Sequence, residues 1–277
     1  MSTLIQPSLN RHFHKRHVPV LAIGGHDPCG GAGVMADAQA IQALGGWPLT
    51  LITLLTAQNS TRLTQTFAQP VTAFEQQLTT LAQEVKPTAI KLGATGSLEI
   101  QRCIVTWLKQ HPRLPLVIDP VIQSTSGALL CDENQLDHLM AELVPAATLI
   151  TPNLPELHTL VPGRHSVEHK ARHLLSLGCK AVLVTGTHSS SKAVRNQLFT
   201  SRNPLPTITR WPRLPHEYHG SGCTLAAAIA VLLGKGETLE KASLAAQDFT
   251  WNSLNLAIQL SAEGYYLPLR TQRATHA

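Results

Sequence analysis

Along this chain, short apolar runs take turns with longer stretches in which apolar residues recur every three or four positions. The runs at 18–23, 49–55, 89–92, 116–118, 148–150 and 181–184 predict strands buried in a sheet. The stretches near 34–44, 72–85, 98–110, 133–143, 167–177, 223–233 and 239–260 predict helices; in the first of them Val34, Ala38 and Ile41 share a face. Such alternation gives an α/β fold with a mostly parallel sheet, right-handed crossovers and helices on both sides. The rhythm breaks between Asn196 and Tyr218. There Gln197-Leu198-Phe199-Thr200 and Thr207-Ile208-Thr209-Arg210-Trp211, separated by a Pro-containing turn, predict a short antiparallel hairpin at one edge. No Gly- or Ser-rich linker and no internal repeat divides the chain. It reads as a mobile basic tail over 1–17, one domain over 18–262 and a C-terminal tail over 263–277.

Open parallel sheets bind ligands beyond the carboxyl ends of their strands. Polar and glycine residues gather at those ends here. Gly25, His26 and Asp27 follow the first run, Gln58 and Asn59 the second, Gly93 the third and Asp119-Pro120 the fourth. Thr151-Pro152-Asn153-Leu154-Pro155-Glu156 follows the fifth and Thr185-Gly186-Thr187-His188 the sixth, so one shared cleft is expected. Two glycine-rich segments frame it, one over 24–33 and the other His219-Gly220-Ser221-Gly222-Cys223-Thr224, which runs into the Ala-rich stretch 225–230. The first turn of a helix leaves N–H groups without intrahelical partners and carries the positive end of the macrodipole, so the second segment suits a phosphate, with Cys223 facing it. Seen alone, it is equally a tight turn with a buried thiol. The glycines at 25, 30, 31 and 33 do not give Gly-x-Gly-x-x-Gly, and Gly-x-x-x-x-Gly-Lys-Ser/Thr is absent, which argues against a nicotinamide enzyme or a P-loop ATPase.

Composition narrows the classes. At 277 residues and 43% hydrophobic, the chain has enough apolar material for one substantial core. No segment is long and apolar enough to span a bilayer and the N-terminus lacks a signal-type apolar core, so a cytoplasmic protein without a membrane partner is expected. Cysteines at 29, 103, 131, 179 and 223 are odd in number and form no Cys-x-x-Cys pair, which points to reduced thiols. The net charge of +5 lies largely in the two tails, and aromatics make up only 4%, so no nucleic-acid surface is expected and the charge is better suited to steering an anionic substrate.

The ordered set Gly24-Gly25-His26-Asp27-Pro28-Cys29-Gly30-Gly31-Ala32-Gly33, Ala57-Gln58-Asn59, Lys91-Leu92-Gly93, Asp119-Pro120-Val121, Thr151 to Glu156 and Gly220 to Thr224 resembles the bacterial hydroxymethylpyrimidine/phosphomethylpyrimidine kinases of thiamine biosynthesis, a branch of the ribokinase superfamily. The likeness covers about residues 18 to 260. It implies a ribokinase-like three-layer α/β/α fold and ATP- and Mg²⁺-dependent phosphorylation of 4-amino-5-hydroxymethyl-2-methylpyrimidine, then of its monophosphate. It also implies that Gly25, Asp37 and Gln58 hold the pyrimidine and that Asp119, Thr151 and Glu156 hold the metal. Asn153, Thr185 and Thr187 would lie at the nucleotide, Gly220, Ser221 and Gly222 would cradle the transferring phosphoryl, and Cys223 would take the substrate hydroxyl proton. The chemistry is compatible: a Gln amide answers an aminopyrimidine edge with donor and acceptor at once. A thiolate is favoured at a helix N-terminus. Without the resemblance, Asn153-Leu154-Pro155-Glu156 is a helix start, Asp37 a favourable charge in a first turn and Gln58 a capping residue.

Several positions depart from that pattern. Cys29 and His26 stand where small hydroxyl residues are usual, Met35 stands for Gln, and Thr185-Gly186-Thr187-His188 replaces Lys-Gly-Gly-His, removing a cation near the nucleotide. A pyridoxal or pyridoxine kinase, a pyrimidine-binding homologue without turnover, and a thiol enzyme pairing Cys223 with His219 are the alternative readings. A homodimer through the 197–211 hairpin is expected from the resemblance.

Overall fold

Successive residues of the first strand, β1 (Pro19–His26), bury on opposite faces, Val20 and Ala22 on one and Leu21 and Ile23 on the other. The same two-faced burial holds in β4 (Ala89–Leu92), where Ile90 and Leu92 oppose Ala89. The computed structural model describes residues 17–124, 127–187 and 192–271. Its sheet adds β2 (Trp47–Gln58), β3 (Leu63–Ala68), β5 (Leu116–Ile118), β6 (Leu149–Ile150), β7 (Ala181–Val184), β8 (Ala193–Thr200) and β9 (Thr207–Pro212). The strand order is β3-β2-β1-β4-β5-β6-β7-β8-β9. From β2 to β7 the pairs are parallel, while β3, β8 and β9 are antiparallel.

One face carries the large side chains. Leu21, Ile23, Ile90 and Leu92 pack with Phe74 and Leu78 of α2 (Val71–Glu84) and with Ile100 and Ile104 of α3 (Leu98–Gln110). A helical segment follows on this side as α4 (Glu133–His138), a π turn over Leu139–Leu143 and α5 (Val144–Ala146), and then α6 (Leu154–Leu160) and α7 (Val167–Ser176). The other face is lined by small residues. Ala22, Ala89 and Ala181 meet Ala226, Ala227, Ala228 and Ala230 of α8 (Ser221–Gly234), flanked by α1 (Gly33–Ala43) and α9 (Leu239–Asn255). Small side chains on both partners let α8 approach the sheet closely, and its middle is fully buried. The result is the three-layer α/β/α sandwich expected, with the hairpin at its edge.

Three stretches differ from the sequence reading. The second strand does not stop at 55: it continues through Thr56-Ala57-Gln58 and turns back as β3, giving a second antiparallel edge. Asn59 makes that turn, its Oδ1 accepting from the amides of Thr61 and Arg62. The last helix ends at Asn255, not 260. Ile258–Gln259 forms β10, paired with β11 (Tyr266–Leu267), and the apolar residues Ile258 and Leu260 that suggested more helix are exposed. The C-terminal stretch is also packed as far as it is described, with Leu267 and Arg270 buried; the N-terminal tail, residues 1–16, lies outside the described residues.

The hairpin β8–β9 is fastened to α9 chiefly through one acceptor, with Trp251 Nε1 of α9 also donating to Pro212 O at 2.9 Å. Gln247 Oε1, buried, accepts from Asn196 Nδ2 at 2.9 Å, Trp211 Nε1 at 3.0 Å and Thr209 Oγ1 at 2.5 Å. Replacement by Ala leaves these donors unsatisfied. Gln247→Ala is therefore expected to lower the unfolding free energy by about 2–3 kcal/mol in a denaturant titration, and an unchanged midpoint would contradict the role given to this side chain.

Candidate active site

A lysine interrupts β4. Alternation places Lys91 on the small-residue face, beneath α1 and α8, where an isolated cation would be prohibitively desolvated. Its partner is Asp37, one turn into α1: Lys91 Nζ lies 2.9 Å from both carboxylate oxygens, and Asp119 Oδ2 stands 3.7 Å away. Burial pushes the Asp37 carboxyl up to about 6 against the pull of Lys91. Burial works against the Lys91 ammonium too, but Asp37, Cys223 and Asp119 outweigh it and hold the group well above the usual lysine range. Asp37, expected to touch a substrate ring, is thus fully enclosed and lies outside the cavity lining, where its charge acts on Lys91 and on the Cys223 thiol.

Above this ion pair the two glycine segments meet. Gly220, the residue before α8, has φ +84°, and a Cβ there would sit 1.8 Å from Gly31 O, so no other residue fits. Arg270 spans the junction, donating from Nε to Thr224 Oγ1 at 2.8 Å, from one Nη to Gly31 O at 2.5 Å and from the other to Gln39 Oε1 at 3.0 Å. The first turn of α8 over Ser221, Gly222 and Cys223 opens into a cavity of about 770 Å³ at the carboxyl ends of the strands. Asp119 packs against Gly222, its Oδ1 3.3 Å from where a Cβ would be. Cys223 is nearly enclosed. Burial pushes its thiol far above the ordinary range, with Asp119 and Asp37 adding to the rise and Lys91 and the Gly33 amide opposing it. The thiolate expected at a helix N-terminus is therefore absent at neutral pH: burial and two nearby carboxyls outweigh the helix end.

Asp119 also faces Glu156. The segment 153–156 starts α6 with a reciprocal cap, Asn153 Oδ1 accepting from the Glu156 amide at 2.9 Å and Glu156 Oε2 from the Asn153 amide at 2.9 Å. Burial, then the charge of Asp119, pushes the Glu156 carboxyl up to about 8. Asp119 Oδ2 is buried and makes no hydrogen bond among the described residues. Two carboxyl groups whose charges repel, one with an unsatisfied oxygen, are an oxygen donor set of the kind a hydrated divalent cation relieves. Thr151 lies beside them, buried, with its hydroxyl donating to Ile118 O at 3.3 Å. Thr185 bridges to Asn153 and Thr187 follows at the rim, where Arg213 donates to Thr187 O at 2.8 Å and brings in a guanidinium. His188 lies outside the described residues.

The opposite wall holds Gly25 and Gln58, the latter at the tip of β2. Gln58 Nε2 is 3.4 Å from His219 Nε2, which in turn lies 2.9 Å from Asp27 Oδ2. Every residue expected at the site except Asp37 lines this one cavity. Lys91, Asp27, His219 and Arg213 also line it without having been given a role there by the resemblance, and Arg270 braces the two loops behind it. Lys91 and Asp27 lie within the motifs that carried the resemblance and His219 directly precedes one, whereas Arg213 and Arg270 lie in stretches without a motif.

Against known proteins, the family described as phosphomethylpyrimidine kinase matches residues 27–268. The hydroxymethylpyrimidine/phosphomethylpyrimidine kinase of Haemophilus influenzae is 33% identical over 239 residues, covering 83% of this chain and 88% of that protein. The thiamine biosynthesis multifunctional protein ThiED of Corynebacterium efficiens is 34% identical over 229 residues, 80% of this chain, which spans only 31% of that longer protein. Among solved structures, the ADP complex of Bacillus subtilis pyridoxal kinase superposes with a TM-score of 0.81 at 26% identity, covering 92% of this chain and 99% of that one.

Because the Glu156 carboxyl in the folded protein keeps its proton up to about 8 instead of 4.5, the folded state binds more protons than the unfolded state between those values. Stability is thus expected to fall as pH rises from about 4.5 to about 8. Glu156→Gln, which keeps the amide cap, should flatten that slope in unfolding titrations run at several pH values; equal slopes for the two proteins would contradict the assignment.

Proposed function

Since the chain belongs to the phosphomethylpyrimidine kinase family, we propose that it transfers the terminal phosphoryl group of ATP to 4-amino-5-hydroxymethyl-2-methylpyrimidine and to its monophosphate, steps of thiamine biosynthesis. The observation that carries this reading is the sharing of one cavity by the amide at the tip of β2 and the thiol at the start of α8. Gln58 and Gly25 hold the ring. The amides of Ser221, Gly222 and Cys223 face the transferring group, where positioning and neutralisation of charge supply most of the acceleration. Asn153, Thr185 and Thr187 lie along the nucleotide phosphates, with the Arg213 guanidinium beside them. Asp119 and Glu156, with Thr151 adjacent, would hold Mg²⁺, which when bound neutralises phosphate oxygens.

The hydroxyl oxygen of the substrate attacks the terminal phosphorus, the bond to the ADP oxygen breaks, and the hydroxyl proton passes to Cys223. Only the thiolate accepts it. Since burial holds the thiol protonated at neutral pH, turnover should climb with pH through the alkaline range. The second copy of a homodimer would pair along β9, the outer strand at the hairpin edge of the sheet. A pyridine alcohol is the second reading, favoured by the superposition on pyridoxal kinase.

A kinase assay with the pyrimidine alcohol, its monophosphate and pyridoxine separates these readings. Both pyrimidines are expected to be phosphorylated with higher kcat/KM than pyridoxine, and Cys223→Ala is expected to lose about 10²-fold or more in kcat together with the alkaline climb. Turnover of Cys223→Ala equal to that of the wild type would remove the base role, and preference for pyridoxine would replace the substrate.

A further inference from the structure

The glycine loop after β1 and the loop before α8 bring a second group of ligating side chains together. His219 Nε2 is 2.9 Å from Asp27 Oδ2, and Cys29 Sγ is 3.1 Å from the same oxygen. One donor atom from each of the three residues lies within 4.8 Å of the others. Gly31 makes this approach possible, since a Cβ there would stand 2.5 Å from His219 Cδ2 and 3.4 Å from Cys29 Sγ. The backbone holds both loops in place: the amides of Cys29 and Ala32 donate to Asp27 at 2.9 Å, and the His219 amide donates to Tyr266 O of β11 at 3.0 Å.

Thiolate, imidazole and carboxylate are the ligands of zinc, whereas the oxygen donors Asp119 and Glu156 suit magnesium. Ligand pairs around tetrahedral zinc stand roughly 3.2–3.8 Å apart, so the two contacts to Asp27 Oδ2 need to open by only a few tenths of an ångström, while Cys29 and His219 already stand within 4.8 Å of each other. We propose that Asp27, Cys29 and His219 form a site for a zinc-class divalent cation, separate from the nucleotide's metal, with its fourth position open to the cavity beside Gln58. Asp27 arrives ionised. Burial opposes its charge, but His219, Cys29 and the Ala32 amide outweigh it and hold the carboxyl well below the usual range. Burial and Asp27 push the Cys29 thiol up to about 11, so the cation itself must draw off that proton, as zinc does from coordinating thiols. Binding thus releases the Cys29 thiol proton to water. His219 ligates through the Nε2 lone pair, and any proton on Nε2 passes to Nδ1 or to water. The cation then takes the place of the His219 contacts to Asp27 and Gln58, fixing both loops at the ring-binding wall.

Cobalt(II) titrated into the full chain reads the site directly and independently of phosphoryl transfer. Expected are a near-ultraviolet thiolate-to-cobalt band and visible bands of four-coordinate intensity, both saturating at one equivalent and lost on adding zinc. Cys29→Ser should abolish the near-ultraviolet band, with circular dichroism reporting its fold, while Cys223→Ala should keep it. His219→Gln, which leaves the thiol in place, should weaken cobalt binding at least tenfold and covers the case in which Cys29→Ser does not fold. No thiolate band at stoichiometric cobalt, a band that survives in Cys29→Ser, one lost in Cys223→Ala, or unchanged affinity in His219→Gln would each overturn the site. The kinase assay stands apart, so failure here leaves the phosphoryl-transfer reading untouched.

Discussion

A cation sealed under the sheet's carboxyl edge organises this molecule. Lys91 cannot be buried without Asp37, and Asp37 cannot stay ionised without Lys91; each offsets the desolvation of the other. Because the pair joins β4 to α1, it fixes the helix that follows the first glycine loop relative to the strand ends. Its charge reaches further, drawing Asp119 to 3.7 Å at the point where Asp119 also faces Glu156 and packs on Gly222. The acidic wall, the helix N-terminus and the buried thiol are therefore arranged around one positive centre.

The scaffold serves the same end by the choice of residue size. Alanines on α8 and on the strand face beneath it let the helix lie close to the sheet, so its first turn opens at the edge where the strands end. The chain then returns from β11 to brace that turn. Arg270 bonds the carbonyl of Gly31 and the hydroxyl of Thr224 together, and Gly220 leaves no gap between the loops. Two loops more than 180 residues apart in sequence, at Gly31 and Gly220, become a single wall that places hydrogen-bond donors with little freedom to move.

Much of this was visible in the sequence because it depends on local pattern. The apolar runs at 89–92, 116–118 and 181–184 match their strands residue for residue, and Asn153 to Glu156 announces its cap through residue types alone. What escaped depends on distant contacts. β3 (Leu63–Ala68) is largely exposed along its length, so no buried face marks it. Leu256, Ile258 and Leu260 prolong an apolar helical pattern past Asn255, yet the backbone there pairs with Tyr266 and Leu267. Lys91 reads as an oddity in an apolar strand until Asp37 is placed over it, and Arg270 sits in a basic stretch that resembles a solvated tail. The thiol of Cys223 shows the same limit in its chemistry: a helix start favours the thiolate, but only the fold reveals how deeply it is buried and that two carboxyls stand beside it.

A double-mutant cycle on Lys91→Met and Asp37→Leu, followed by denaturant unfolding, tests the organising role of the buried pair most directly. Each single replacement strands one buried charge and should remove about 3–5 kcal/mol, whereas the double replacement should cost well under the sum, with a coupling of about 1–3 kcal/mol. Losses that add to within about 0.5 kcal/mol would show that the two groups do not depend on each other, and would contradict the account.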